Sequence, residues 1–110
     1  DIISDTVTEY VSWFAEQNKS KNHRLFFFNV PAPVYNEEYP AEENEKVKST
    51  IKSFNNLLKK TVLDYGFKII DVHKCTVRRD GFSNNLFHID KHHLSSDVIP
   101  EIEQQFCTIL

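Results

Sequence analysis

Ile3, Val7, Tyr10, Val11 and Phe14 fall at i, i+4, i+7, i+8 and i+11, one apolar stripe that predicts a helix over residues 5–18 with Ser4 or Asp5 as its cap. The polar stretch "NKSKNH" ends it. "RLFFFNV" follows, a continuous apolar run of strand length stopped by "PAP", and reads as an interior strand of a parallel sheet covered on both faces. "YNEEYPAEENEK" is a solvated, acidic, proline-marked loop. A second stripe of Val47, Ile51, Phe54, Leu58, Val62 and Tyr65 predicts a helix over 43–65, with lysines opposite and Gly66 as its C-terminal stop. "FKIIDVHK", residues 67–74, reads as a second strand, followed by the irregular loop "CTVRRDGFSNNLFHIDKHHL". Ser95, Ser96 or Asp97 then caps a last helix built on Val98, Ile99, Ile102, Phe106 and Ile109, with Pro100 tolerated in its first turn.

Helix, strand, helix, strand, helix is one βαβ crossover with flanking helices, the unit of doubly wound α/β sheets. Two parallel strands do not bury both faces of "RLFFFNV", so residues 1–110 are expected to form a single, partial α/β domain. The chain contains no methionine, which suggests a piece of something longer. A homodimer or larger assembly, or the missing half of the domain, is expected to cover the free edge and face of the sheet.

Composition narrows the function classes. The formal charge of −3 and the shortness of the basic clusters Lys59-Lys60 and Arg78-Arg79 argue against a nucleic-acid binder. No apolar run is long enough to span a membrane, and no export signal opens the chain, so the default compartment is the cytoplasm. Cys75 and Cys107 lack the spacing of a zinc or redox pair and read as reduced thiols.

The candidate chemistry lies in "FHIDKHHLSSD", residues 87–97. His88 and His92, at i and i+4 with Asp90 between them, would suit a metal site if the segment were helical, and a metal-dependent hydrolase is one reading. The segment precedes the capping serines, however, which places it in a loop, and no further ligand cluster is present. Asp90 and His93 support another chemistry. At D-x-x-H spacing one turn brings the carboxylate to the imidazole, which fixes its tautomer and leaves the other ring nitrogen to take a proton. The loop follows the second strand, where open α/β sheets place their sites.

"NVPAP" at a strand end, a long helix with "FNNLLKK", the strand "FKIIDV" and then "DGFSNNLFHIDKHHLS" resemble the C-terminal half of the SGNH hydrolases, the GDSL esterase/lipase family. That family's last block is D-x-x-H followed by Leu and often Ser or Thr, here Asp90-Lys91-His92-His93-Leu94-Ser95. The resemblance implies a flavodoxin-like three-layer α/β/α fold with a parallel sheet, His93 as catalytic base and Asp90 as its partner. It further implies hydrolysis of an ester, a small molecule or acylated glycan, through an acyl-serine intermediate, with no metal or organic cofactor. Lys91 replaces a common glycine. The G-D-S, glycine and G-x-N-D blocks are absent from this chain, whose only glycines are Gly66 and Gly81.

A general base supplies roughly 10²- to 10⁴-fold, while nucleophile and oxyanion donors supply the covalent route, so the chain alone is expected to be close to inactive. The competing reading is a non-catalytic α/β interaction module, with Asp90 as a turn former. Trp13 is expected to be a packing residue, Arg78-Arg79 a solvated pair or salt-bridge donor, and Asp71 a cap or a functional acid. Asn29 is placed to project from its strand end toward the site.

Overall fold

In the computed structural model, which describes residues 1–110, the first helix, α1, spans Ile2–Asn18. It begins earlier than the stripe predicts because Asp1, not Ser4 or Asp5, caps it, accepting a 2.9 Å hydrogen bond from the Ser4 amide. The chain leaves α1 through Asn22, whose φ of 54° is left-handed, and the Asn18 carboxamide grips both the amide and the carbonyl of His23 at 2.8 Å.

The first strand, β1, is Phe26–Phe28, and it pairs in parallel with the second, β2, Lys68–Ile70, in the register Phe27↔Ile69. Between them runs α2, Ala41–Asp64. Gly66 ends it as predicted: at φ +79° its amide donates to the Leu63 carbonyl and the Phe67 amide to the Val62 carbonyl, the paired closure of a Schellman motif. The chain is thus a mixed helix and strand structure with a two-stranded parallel sheet.

Alternation along β1 sorts its three phenylalanines. Phe27 is buried in the core with Val7 and Val11 of α1 and Leu58 and Val62 of α2. Phe26, on the other face, meets Phe106 of the last helix, with ring centroids 4.8 Å apart. Phe28 remains 59% exposed. "RLFFFNV" is therefore not an interior strand covered on both faces: β1 has one neighbour, its outer edge is unpaired, and the pairing spans three residues. Trp13 packs edge-on against Phe14, with ring centroids 5.0 Å apart, while more than half of it stays exposed.

The second strand is also shorter than "FKIIDVHK". After Ile70 the chain turns into a short helix, α3, Val72–Thr76, because the Asp71 carboxylate accepts from the Lys74 amide at 2.9 Å and starts a helical turn. Asp71 is thus a cap, and His73 lies in that helix. Asn29 ties the two strand ends together, donating to Asp71 Oδ1 at 2.8 Å and accepting from the His73 amide at 2.9 Å. Ser95 caps a 3₁₀ turn, Ser96–Val98, which runs into the last helix, α4, Ile99–Ile109. Gln105 of α4 grips the backbone of Asp71 from both sides, at 2.8 and 2.9 Å.

Residues 30–36 lie outside the sheet, whose last ladder bond runs from the Asn29 amide to the Ile70 carbonyl at 3.3 Å. Their backbone groups are answered by side chains instead. Asn55 of α2 accepts from the Val30 amide at 2.9 Å and donates to its carbonyl at 2.8 Å, and Asn44 does the same for Asn36. Thr76 takes the Ala32 amide, and the Ser83 amide donates to the Pro33 carbonyl. Asn44, Asn55, Thr76 and Ser83 are the buried polar residues of the chain, and no buried side-chain polar atom is left without a partner.

Replacing Asn55 with Ala strands both backbone groups of Val30 in a part-buried position. Its expected cost is about 2 to 4 kcal/mol of stability, measured by urea unfolding; a loss below about 0.5 kcal/mol, within the range of an ordinary surface substitution, would contradict the clamp.

Candidate functional site

The loop between α3 and the 3₁₀ turn is pinned at two points. Val77 and Ser83 form an isolated antiparallel bridge around a turn at Arg78–Gly81, where Arg78 pairs with Asp80 at 2.8 Å in solvent. Gly81 sits at φ +93°, and a Cβ there would come within 2.7 Å of the Lys48 side chain. A second bridge joins His88 to Leu94, with the Ser95 amide donating to the Phe87 carbonyl at 2.7 Å and the Ile89 amide to the His93 carbonyl at 3.0 Å. Residues 88–94 are therefore a closed turn rather than a free loop.

Asp90 organises that turn. Its Oδ1 accepts from the amides of His92 and His93, both at 2.7 Å, the self-bonding pattern by which Asp favours turns. The same carboxylate meets His93 Nδ1, at 2.9 Å through Oδ2 and 3.0 Å through Oδ1. The backbone hydrogen bond from His92 lowers the Asp90 carboxyl most, followed by the His93 ring, so it is ionised throughout the neutral range. With Nδ1 facing a carboxylate, neutral His93 carries its proton there, and Nε2 is a bare acceptor. The side chain is 71% exposed, so that acceptor is reachable. No serine hydroxyl is hydrogen-bonded to His93.

The other histidines of the cluster go elsewhere. His88 turns Nδ1 onto the hydroxyl of Ser83 at 2.6 Å. Ser83 is 1% exposed, and its oxygen already accepts from the Asn85 amide at 3.0 Å. Burial pushes the His88 imidazole below its ordinary value, against the pull of Asp90. His92 and Lys91 extend toward a cleft of about 300 Å³ walled by residues 30–34 and α2. His88, Asp90 and His92 thus do not converge, and no group of three or more His, Cys, Asp or Glu side chains is placed to share a metal ion. The metal-dependent reading loses its ligand set on that geometry.

The pattern of apolar residues passed over three participants in this region: Asn44, Asn55 and Ser83. A signal for two of them is present, since positions 44, 51, 55, 58 and 62 share the buried side of α2 and two of those positions are Asn. A carboxamide on an apolar stripe announces a backbone to be gripped. Cys75 is no further candidate, because burial raises its thiol and Gln105 covers it at 3.1 Å.

Comparison with protein-family models, curated proteins and solved structures finds no match for this chain.

A histidine whose folded value lies below its unfolded one binds its proton less readily in the folded state. Its contribution to stability is complete above the unfolded value, about pH 6.5, and is lost as pH falls through the folded value. The urea midpoint is expected to fall as pH drops below about 6.5, with His88→Gln flattening part of that slope. An identical slope in the variant would show that His88 is not the group being titrated.

Proposed function

We propose that this chain is the C-terminal half of an SGNH-type serine ester hydrolase, part of a flavodoxin-like α/β/α arrangement, in which Asp90 and His93 are the orienting acid and the general base. The observation that carries this reading is the 2.9 Å contact between the Asp90 carboxylate and His93 Nδ1 in a turn after the second parallel strand, with Nε2 exposed.

The nucleophilic serine and the oxyanion donors come from outside residues 1–110. His93 Nε2 takes the proton of that serine as its oxygen attacks the ester carbonyl. The tetrahedral intermediate expels the alcohol, which receives the proton back from His93, and leaves an acyl-serine. Water then attacks the acyl carbon with His93 again as base, and the acid and free serine are released. Throughout, Asp90 stabilises the transient imidazolium. No metal or organic cofactor enters this route, and the substrate class is a small O-acyl ester or an acylated glycan.

One observation favours the competing reading of a non-catalytic interaction module: no serine of this chain reaches His93, and Asp90 is already a satisfied turn former without any chemistry. The unpaired edge of β1 and the exposed Phe28 fit either reading, since the rest of the domain or a second copy of the chain would cover them.

Fluorophosphonate labelling of the full-length natural protein that contains this chain tests the first reading. Labelling is expected, with His93→Ala abolishing it and Asp90→Asn slowing it by roughly 10²- to 10⁴-fold. A folded natural protein that does not label would favour the interaction module. Separately, the 110-residue chain is expected to run as a dimer or larger species in light scattering at micromolar concentration, and a monodisperse monomer would exclude the second copy as the cover.

A further inference from the structure

The cleft beside the 88–94 turn has a built character that the catalytic pair does not use. Its walls are fixed before any ligand arrives. The Val30 backbone is gripped by Asn55, the Ala32 amide by Thr76, the Pro33 carbonyl by the Ser83 amide, and the loop at 36–40 by Asn44. Such preorganisation removes the ordering cost that a mobile surface would impose on binding.

The chemistry of the lining is divided. Val30, Ala32, Val34, Val47 and Ile51 supply its apolar lining, and His88, Lys91 and His92 supply its nitrogen donors. No Asp or Glu lines the cleft, although the chain as a whole carries a net charge of −3. The nearest acid in sequence, Asp90, is occupied by two amides and the His93 ring. Lys91 makes no ion pair within the chain.

His88 adds a directional donor. Ser83 Oγ has two partners within hydrogen-bond distance, the Asn85 amide, which can only donate, and His88 Nδ1. The buried Ser83 hydroxyl must place its own proton somewhere, and Nδ1 is the acceptor in reach. Nδ1 therefore accepts, and neutral His88 carries its proton on Nε2, the ring nitrogen left to anything entering the cleft. Burial, which disfavours the imidazolium, keeps this neutral form at pH 7.

We propose that this cleft binds a small carboxylic acid bearing a short alkyl chain, with the carboxylate held by His88 Nε2–H and the Lys91 ammonium and the chain lying on Val30, Val47 and Ile51. Two donors lining one cleft select the headgroup. The apolar wall selects the tail. The site stands whether or not His93 acts as a base, because neither donor belongs to the Asp90–His93 pair.

Hexanoate is the probe, titrated into the isotope-labelled protein while the His88 ring and the Val47 and Ile51 methyl signals are followed by NMR, with 1-hexanol and acetate as comparisons. Hexanoate is expected to saturate with a Kd near 1 mM, about the strength open to so small a ligand. Hexanol, without the anion, and acetate, without the tail, should each bind roughly tenfold more weakly. Lys91→Ala, an exposed change that does not threaten folding, should weaken hexanoate by roughly fivefold to tenfold and leave hexanol unchanged. Three results would each overturn the proposal: no saturable shift up to about 10 mM hexanoate, hexanol binding as tightly as hexanoate, or no effect of Lys91→Ala. Because no nucleophile is needed for this binding, a protein that fails to label with fluorophosphonate and still binds hexanoate separates the two readings.

Discussion

One device recurs at four places in this chain outside the sheet ladder: a carboxamide side chain grips both the amide and the carbonyl of a single residue, as a neighbouring strand would. Asn18 does so for His23, Asn44 for Asn36, Asn55 for Val30 and Gln105 for Asp71. A sheet of two three-residue strands cannot satisfy the backbone that passes through the molecule, and an unpaired buried peptide group costs as much as a lost hydrogen bond. The carboxamides make up that deficit. Asn44 and Asn55 fix the segment at 30–36 against α2, while the Thr76 hydroxyl and the Ser83 amide tie α3 and the loop after it to residues 32 and 33. The site lies between those two segments and inherits their rigidity.

The Asp90 carboxylate shows why turn former and catalytic partner are not opposed readings. Its Oδ1 closes the turn on two amides, and that closure is what brings the His93 ring over the carboxylate at a spacing of three residues. The turn is thus the positioning device for the pair, and the bridge from His88 to Leu94 holds the turn in place. His88, so close in sequence, is drawn inward to Ser83 and given the opposite environment, partly buried and hydroxyl-bonded where His93 is exposed and carboxylate-bonded.

The helices were legible because their stripes are long. Val7 and Val11, and Leu58 and Val62, are buried where the 3.6-residue period puts them, and Gly66 closes α2 with the expected geometry. The strands are shorter than their apolar runs. A continuous apolar run states that residues are apolar, not that partners exist on both sides, and Phe28 lies exposed at the end of a strand with one neighbour. In "FKIIDVHK" the apolar pattern continues past Ile70, but Asp71 caps a helical turn, and a local hydrogen bond of that kind outweighs a propensity. Within the site, D-x-x-H spacing anticipated the Asp90–His93 contact because it is local. The Ser83–His88 pair and the Val30 and Asn36 clamps depend on where separate segments meet, which spacing does not encode, and only the asparagines on the buried side of α2 hint at them.

A single long-range proton–nitrogen NMR spectrum of the histidine rings, taken where all are neutral, tests the division of labour most directly. Opposite tautomers are expected in one turn: His93 with its proton on Nδ1 and a bare Nε2, as a base oriented by Asp90 requires, and His88 with its proton on Nε2 and Nδ1 accepting from Ser83. His93 in the Nε2–H form would contradict the base and orienter assignment at its root, since a nitrogen that already carries a proton cannot take one from a nucleophile.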